Sequence, residues 1–278
     1  MREIAAPTII DAVKDASIRA NIELGDDVVE ALKRSLTQEM SDVGKDILNK
    51  LLENARIARE ERIPICQDTG VAVLFVELGQ GVSVGGDLYQ ALEEGVRQGY
   101  EEGFLRKSVC DPFTRKNTGD NTPIIVHLDL VPGDQLKIWV VPKGGGSENM
   151  SRLFMLPPSA GWAGIKEKVV ETVAEAGPNP CPPTIIGVGI GGNFEKSAIL
   201  AKKSLLRPLG TPNPDPRLGP LEEELLTEIN RTGVGPQGLG GRVTSLAVHM
   251  LMMPCHIASL PVAVNIQCHA SRHVEVVL

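Results

Sequence analysis

The chain has 278 residues, 42 % hydrophobic and 23 % charged, with a formal net charge of −7. This supplies apolar side chains for one large core or two small ones and excludes a bulk electrostatic pull toward nucleic acid or anionic lipid. Aromatic residues make up 3 %, too few for base-stacking surfaces, and no apolar run approaches the length of a membrane span.

The start, Met1-Arg2-Glu3-Ile4-Ala5, lacks the basic-then-apolar pattern of a signal peptide, so a cytoplasmic location is the default expectation. Five scattered cysteines do not make a secreted disulfide framework. In a reducing compartment they are inert core residues, nucleophiles or metal ligands.

In chain order, residues 8–21 read as a weak helix. Residues 26–60 read as one long helix, because Val29, Leu32, Leu36, Met40, Val43, Ile47 and Leu51 recur at three- and four-residue steps. Val71–Leu78 is a β-rich run after Thr69-Gly70 and reads as a buried strand. Residues 87–101 look helical, and 106–122 form a long polar loop. The strands Ile124–Leu130 and Leu136–Val141 are joined by Pro132-Gly133-Asp134. Residues 144–149 read as a flexible glycine loop, 162–176 as a helix, and Thr184–Ile190 then Phe194–Leu206 as strand and helix. The Pro- and Gly-rich tract 207–220 reads as an ordered loop or a linker. Helices near 221–231 and 242–253 follow, then strand-like Leu260–Ile266 and Val274–Leu278. The expected class is α/β or α+β, with mixed sheets and packed helices. The expected organisation is a single domain over 1–278 that could divide into two lobes.

Cys66, Cys181 and Cys268 each sit at the end of an element among Gly, Pro or polar residues, where functional groups concentrate. Each alone is more often a small buried hydrophobe than a ligand, and the absence of Cys-x-x-Cys argues against a zinc knuckle or ferredoxin-type site. Gly187–Gly192 fits G-x-G-x-x-G between a strand and a helix, the setting of a dinucleotide fingerprint. The nearest acid about twenty residues on, Asp215, falls in the proline-rich tract, so a tight strand-to-helix turn is the preferred reading. Glycines 144–146 would let backbone N–H groups approach an anion. Arg106 could clamp a carboxylate, and His256 and His269 could do acid–base work; solvated or packed roles are the commoner fate of such residues.

Together, Pro64–Gly70 (PICQDTG), Asn117–Pro123 (NTGDNTP), Lys143–Asn149 (KGGGSEN), Cys181–Gly192 (CPPTIIGVGIGG), Gly235–Gly241 (GPQGLGG) and Gln267–His273 (QCHASRH) resemble the signature stretches of the class I fumarate hydratase family, in the family's order. That family also includes L-tartrate dehydratases. The resemblance implies a cluster-binding domain of the N-terminal type and a [4Fe–4S] cluster held by Cys66, Cys181 and Cys268. A cubane normally takes four thiolates; with three, one iron keeps open positions and acts as a Lewis acid. The resemblance also implies Asp68 as the group handling the proton of the hydroxyl. Gln67, Arg106, Gly144, Gly145, Gly146 and His256 are implied as contacts to a small dicarboxylate substrate.

Single-chain members carry a second domain after this one. The chain therefore resembles the alpha subunit of the two-subunit form, with a separate beta subunit completing the active site in a dimer of heterodimers. Fumarate hydration to L-malate is the expected reaction, and the alpha subunit of L-tartrate dehydratase is the alternative. From other classes, the rivals are an NAD-binding oxidoreductase and a non-catalytic subunit.

Overall fold

The computed structural model describes residues 2–278. In chain order the elements are β1 (Arg2–Ala5), α1 (Ala6–Ile22), α2 (Asp26–Gln38), α3 (Asp42–Glu61), β2 (Val71–Gly79), β3 (Val82–Gly85), α4 (Leu88–Glu102), β4 (Ile125–Val131), β5 (Leu136–Lys143), the single turn α5 (Gly145–Glu148), β6 (Arg152–Leu156), α6 (Gly161–Ala176), β7 (Thr184–Gly192), α7 (Phe194–Ser204), α8 (Gly219–Arg231), β8 (Ser245–Cys255), β9 (Leu260–Gln267) and β10 (Val274–Val277). The class is α/β with mixed sheets. Among the described residues no helix is long and apolar enough to cross a membrane.

The first of two units comprises the residues up to Leu24, Ala55–Gly145 and Arg272–Leu278. Its sheet has the order β10-β5-β2-β4, with β2 parallel to β4 and antiparallel to β5. The turn 132–134 thus joins strands that do not pair, because β2 lies between them. Alternate residues of the central strands, Leu74, Val76, Ile138 and Val140, meet Ile9 and Val13 of α1 and Leu92 and Val96 of α4 in a closed core. Each such buried aliphatic side chain contributes about 2 kcal/mol of hydrophobic stabilisation.

The second unit comprises Gly25–Asn54 and Gly146–Ser271, with sheet order β6-β9-β7-β8. Strand β7 explains its own glycines. Ile186, Val188 and Ile190 point into a core with α6 and α8, and the alternate glycines face α7. A Cβ on Gly187 would stand 2.1 Å from the Ala201 carbonyl oxygen, and one on Gly189 2.0 Å from that of Ser197. The G-x-G pattern is therefore a seat for a helix lying directly on the strand. Asn193 then caps α7 by accepting the Lys196 N–H at 3.1 Å. Gly189→Ala should destabilise the protein by about 3 kcal/mol through overpacking, read as a lower urea midpoint at unchanged m-value.

Three sequence expectations are corrected. The helix expected over 26–60 is two helices, broken at residues 39–41. Glu39, 1 % exposed, turns its carboxylate onto the N–H groups of Met40 (2.8 Å), Ser41 (2.9 Å), Arg242 (2.8 Å) and Val243 (3.0 Å). Burial alone would raise this carboxyl, but the N–H donors outweigh it and hold it below its ordinary value of 4.5. Glu39→Ala should cost about 3 kcal/mol by orphaning buried donors. A depressed folded value means that this stability is present above pH 4.5 and is lost as pH falls through the lower folded value. The Ala variant should therefore show a flatter loss of stability below that pH in denaturation series.

The helix expected over 242–253 is strand β8. Its register runs parallel to β7 from Ile185↔Ala247 to Ile190↔Met252. Val248 and Met250 enter the core, and the intervening His249 carbonyl accepts the Ser204 hydroxyl at 3.1 Å. A short apolar run fits either period, and sheet pairing decides it. Finally, the glycine loop expected over 144–149 contains the helical turn α5. Strands β1, β3 and β6 were not foreseen.

Candidate active site

In the first unit the site grows from the entry to β2. Gly70 adopts φ +73°, and a Cβ there would stand 2.7 Å from the Lys143 backbone. Only glycine lets the chain turn so tightly into the Val71↔Lys143 pair that starts the β2–β5 ladder. This delivers Asp68 to the end of β5. Asp68 Oδ1 accepts the Gly70 N–H at 3.0 Å, and Oδ2 accepts the Gly145 N–H at 2.7 Å. Gly144 is buried directly against the same carboxylate.

Beneath it lies a layer of buried polar side chains. Arg272, 2 % exposed, donates to the Asp68 carbonyl at 2.9 Å and to Asn21 Oδ1 at 3.3 Å, while its Nε has no hydrogen-bond partner among the described residues. The Tyr100 phenol, pushed well above its ordinary value by burial, stays protonated and donates to the Thr69 carbonyl at 2.5 Å. The Thr69 hydroxyl donates to the Arg106 carbonyl at 2.6 Å. Asn121 donates to the Gly70 carbonyl at 3.1 Å and accepts the Ser108 N–H at 2.7 Å. These bonds fix both ends of the 106–122 loop beside Asp68 and leave the Arg106 side chain exposed. Gln67 is also exposed. Asp68, Gly144 and Gly145 are thus in direct contact, and Arg106 is tied to them through Thr69.

In the second unit, Cys181 and Cys268 are drawn together by backbone anchoring. Cys181 has φ +55° and an exposed side chain. Its carbonyl accepts from His269 Nδ1 at 2.9 Å, which makes Nδ1 the protonated ring nitrogen. Gln237 donates from its side chain to the Pro182 carbonyl at 2.8 Å, and its backbone N–H reaches the same oxygen at 2.8 Å. The GPQGLGG stretch therefore clamps the Cys181 loop.

His256 lies elsewhere. It sits in the exposed turn after β8, where its Nδ1 accepts the Ala258 N–H at 3.1 Å. Cys181 precedes the first residue of β7, whereas Cys255 pairs with its last, Gly192. The length of β7, roughly 26 Å by strand rise, separates His256 from the two cysteines of its own unit. Gly146 also belongs to the second unit and is exposed.

None of the five cysteines is in a disulfide, and the sulfurs differ in their hydrogen bonding. Cys66 Sγ accepts the Asp68 N–H at 3.4 Å and itself donates to Gln67 Oε1 at 3.4 Å, and Cys268 Sγ accepts from the Gln267 amide at 3.7 Å. Cys255 Sγ instead donates to the Ser259 carbonyl at 3.2 Å. Among the described residues no three His, Cys, Asp or Glu side chains converge as a single-ion site.

Sequence reasoning assigned no role to Arg272, Tyr100 or Gln237. Arg272 and Gln237 lie within recognised stretches, but nothing local reveals that an arginine is buried under the loop carrying Asp68.

A family model described as "Fumarate hydratase (Fumerase)" matches residues 10–277. A Methanocaldococcus jannaschii protein named "Putative L(+)-tartrate dehydratase subunit alpha" is 43 % identical over 271 residues, covering 95 % of each chain. The Escherichia coli protein named "L(+)-tartrate dehydratase subunit alpha" is 34 % identical over 275 residues, covering 98 % of this chain and 91 % of the relative. With a match running nearly end to end, this chain belongs to the fumarate hydratase (Fumerase) family.

Proposed function

We propose that the chain is the cluster-carrying alpha subunit of a hydro-lyase that interconverts fumarate and L-malate together with a separate beta subunit. The observation that carries this reading is the Asp68 carboxylate, held by the Gly70 and Gly145 N–H groups in a chain whose family match spans residues 10–277. Dehydration of L(+)-tartrate is the second reading, favoured by the names of the relatives. The substrates share a four-carbon dicarboxylate frame, so either reading uses the same residues.

Cys66, Cys181 and Cys268 are the proposed thiolate ligands, a set taken from the family resemblance and compatible with the N–H donors on Cys66 and Cys268. A [4Fe–4S] cluster held by three thiolates supplies a Lewis-acidic iron that polarises the substrate's oxygens. Asp68 keeps lone pairs beyond the two its N–H partners occupy and serves as acid and base for the proton on the hydroxyl. Arg106 pairs with a substrate carboxylate as a two-pronged fork in this reading. Gln67 and the backbone of Gly144–Gly146 add hydrogen bonds. Arg272, bonded to the Asp68 carbonyl, positions Asp68 from below. His256 lies at the opposite end of its own sheet from Cys181 and Cys268. The nicotinamide-cofactor rival loses its motif, since the glycines at 187 and 189 are occupied by α7.

The test is anaerobic copurification of the chain with its beta subunit, followed by assays on fumarate, L-malate and L(+)-tartrate. A kcat/KM highest for fumarate and L-malate supports the first reading, and one highest for tartrate supports the second. Full turnover by the alpha chain alone would end the two-subunit reading.

A further inference from the structure

Strand β4 forms one edge of the first unit's sheet. Natural edge strands are usually shortened, charged, bulged or broken by proline, because an open ladder recruits another strand. The other sheet edges here carry such guards. β10 has four residues, β6 opens on Arg152, and β8 carries Pro254 and bulges against β7. β4 has seven residues, Ile-Val-His-Leu-Asp-Leu-Val, without Pro, Lys or Arg. Its register with β2 runs unbroken from Val73↔Ile125 to Gly79↔Val131. Ile125, Leu128 and Leu130 are 45 %, 50 % and 66 % exposed.

The sequence of the strand also names its occupant. Val126, Leu128 and Leu130 follow Leu74, Val76 and Leu78 on the core face, and His127 and Asp129 follow Phe75 and Glu77 on the other. Antiparallel pairing of two copies about a two-fold axis at Leu128 sets Leu128 against Leu128 and Val126 against Leu130. It also sets His127 of each copy against Asp129 of the other. A register centred on residue 127 would instead oppose His to His, and one centred on residue 129 Asp to Asp; an odd shift would oppose the wrong faces. Asp129 lies beside Glu77, which has Lys137 on its other side, and the register centred on Leu128 is the one that places opposite rather than like side chains across the pair.

We infer that β4 is the contact between two copies of this chain, joining their sheets into one continuous eight-stranded sheet about a two-fold axis through Leu128. The contact is isologous, with the same strand used twice, and it supplies the alpha–alpha junction of a dimer of heterodimers.

The test uses the alpha–beta complex under anaerobic conditions. Opposed residues of an antiparallel pair have Cα atoms about 4.5–5.5 Å apart, within disulfide reach. Residue 130 of each copy stands four positions from its twin, roughly 13 Å away. With diamide as oxidant, Leu128→Cys should therefore give a covalent alpha–alpha dimer on denaturing gels, and Leu130→Cys should give no more than wild type. By light scattering, His127→Asp should leave one alpha chain per particle, and the double change His127→Asp with Asp129→His should restore two. The inference is overturned if Leu128→Cys gives no more cross-link than wild type. It is also overturned if Leu130→Cys links equally well, or if Leu128→Cys links to the beta chain instead.

Discussion

Replacing Cys66, Cys181 or Cys268 by serine should each abolish turnover, with kcat falling at least about 10³-fold through loss of a Lewis acid worth several kcal/mol. Cys110→Ser and Cys255→Ser should keep near wild-type rates. The contrast follows from the three-thiolate ligand set that the family resemblance implies, and the surroundings of the sulfurs are compatible with it. Cys66 and Cys268 receive N–H groups, and Cys181 is held exposed on a loop clamped by His269 and Gln237. Cys255 Sγ donates to a nearby carbonyl, a bond a serine hydroxyl also makes, and Cys110 belongs to an isolated bridge with Asn117 formed by backbone. The check is kcat for the five variants beside their melting temperatures, so that unfolding is separated from loss of chemistry. Uniform tolerance of all five changes would return the cysteines to a structural role.

Asp68→Asn is the second variant with a large expected effect. The amide oxygen can still accept one N–H from Gly70 or Gly145, so the loop should hold. The side chain can no longer exchange a proton, and kcat should fall by about 10²–10⁴-fold, the usual contribution of a positioned acid or base. KM for the dicarboxylate should change little, because Arg106 and the glycine loop are untouched. Asp68→Ala should lose the Gly145 bond as well and raise KM in addition. A kcat within a factor of two of wild type for Asp68→Asn, in a folded and iron-loaded complex, would remove Asp68 from the chemistry.

Much of this architecture can be read from local pattern. Strand β2 announces itself as a β-rich run because both of its faces are buried, and helices α1, α4 and α6 stand out because one face of each is buried in a core. What escapes local reading depends on partners distant in sequence. The break after α2 has a local part, Glu39 accepting the Met40 and Ser41 N–H groups and Ser41 Oγ accepting that of Gly44, and a distant part, Glu39 meeting the N–H groups of Arg242 and Val243, which nothing between residues 26 and 60 encodes. β8 is a strand because β7 lies beside it, although its apolar residues suit a helix equally well.

The site divides in the same way. Cys66, Asp68, Arg106 and the glycines lie in polar, Gly-rich stretches that stand out in sequence. The residues that position them do not. Arg272 looks like any surface arginine until it is found 2 % exposed under the Asp68 carbonyl, and Tyr100 looks like the apolar face of a helix until its hydroxyl is seen to hold the Thr69 carbonyl. His256 shows the reverse, a chemically apt residue that the sheet carries to the opposite end from Cys181 and Cys268.

The most direct measurement is iron and acid-labile sulfide per alpha chain in the anaerobically purified alpha–beta complex, for wild type and the three cysteine variants. The account predicts about four of each in wild type, with visible absorbance that bleaches in air, and loss of both in Cys66→Ser, Cys181→Ser and Cys268→Ser. An active wild-type complex without iron, or full iron and sulfide in all three variants, would contradict it.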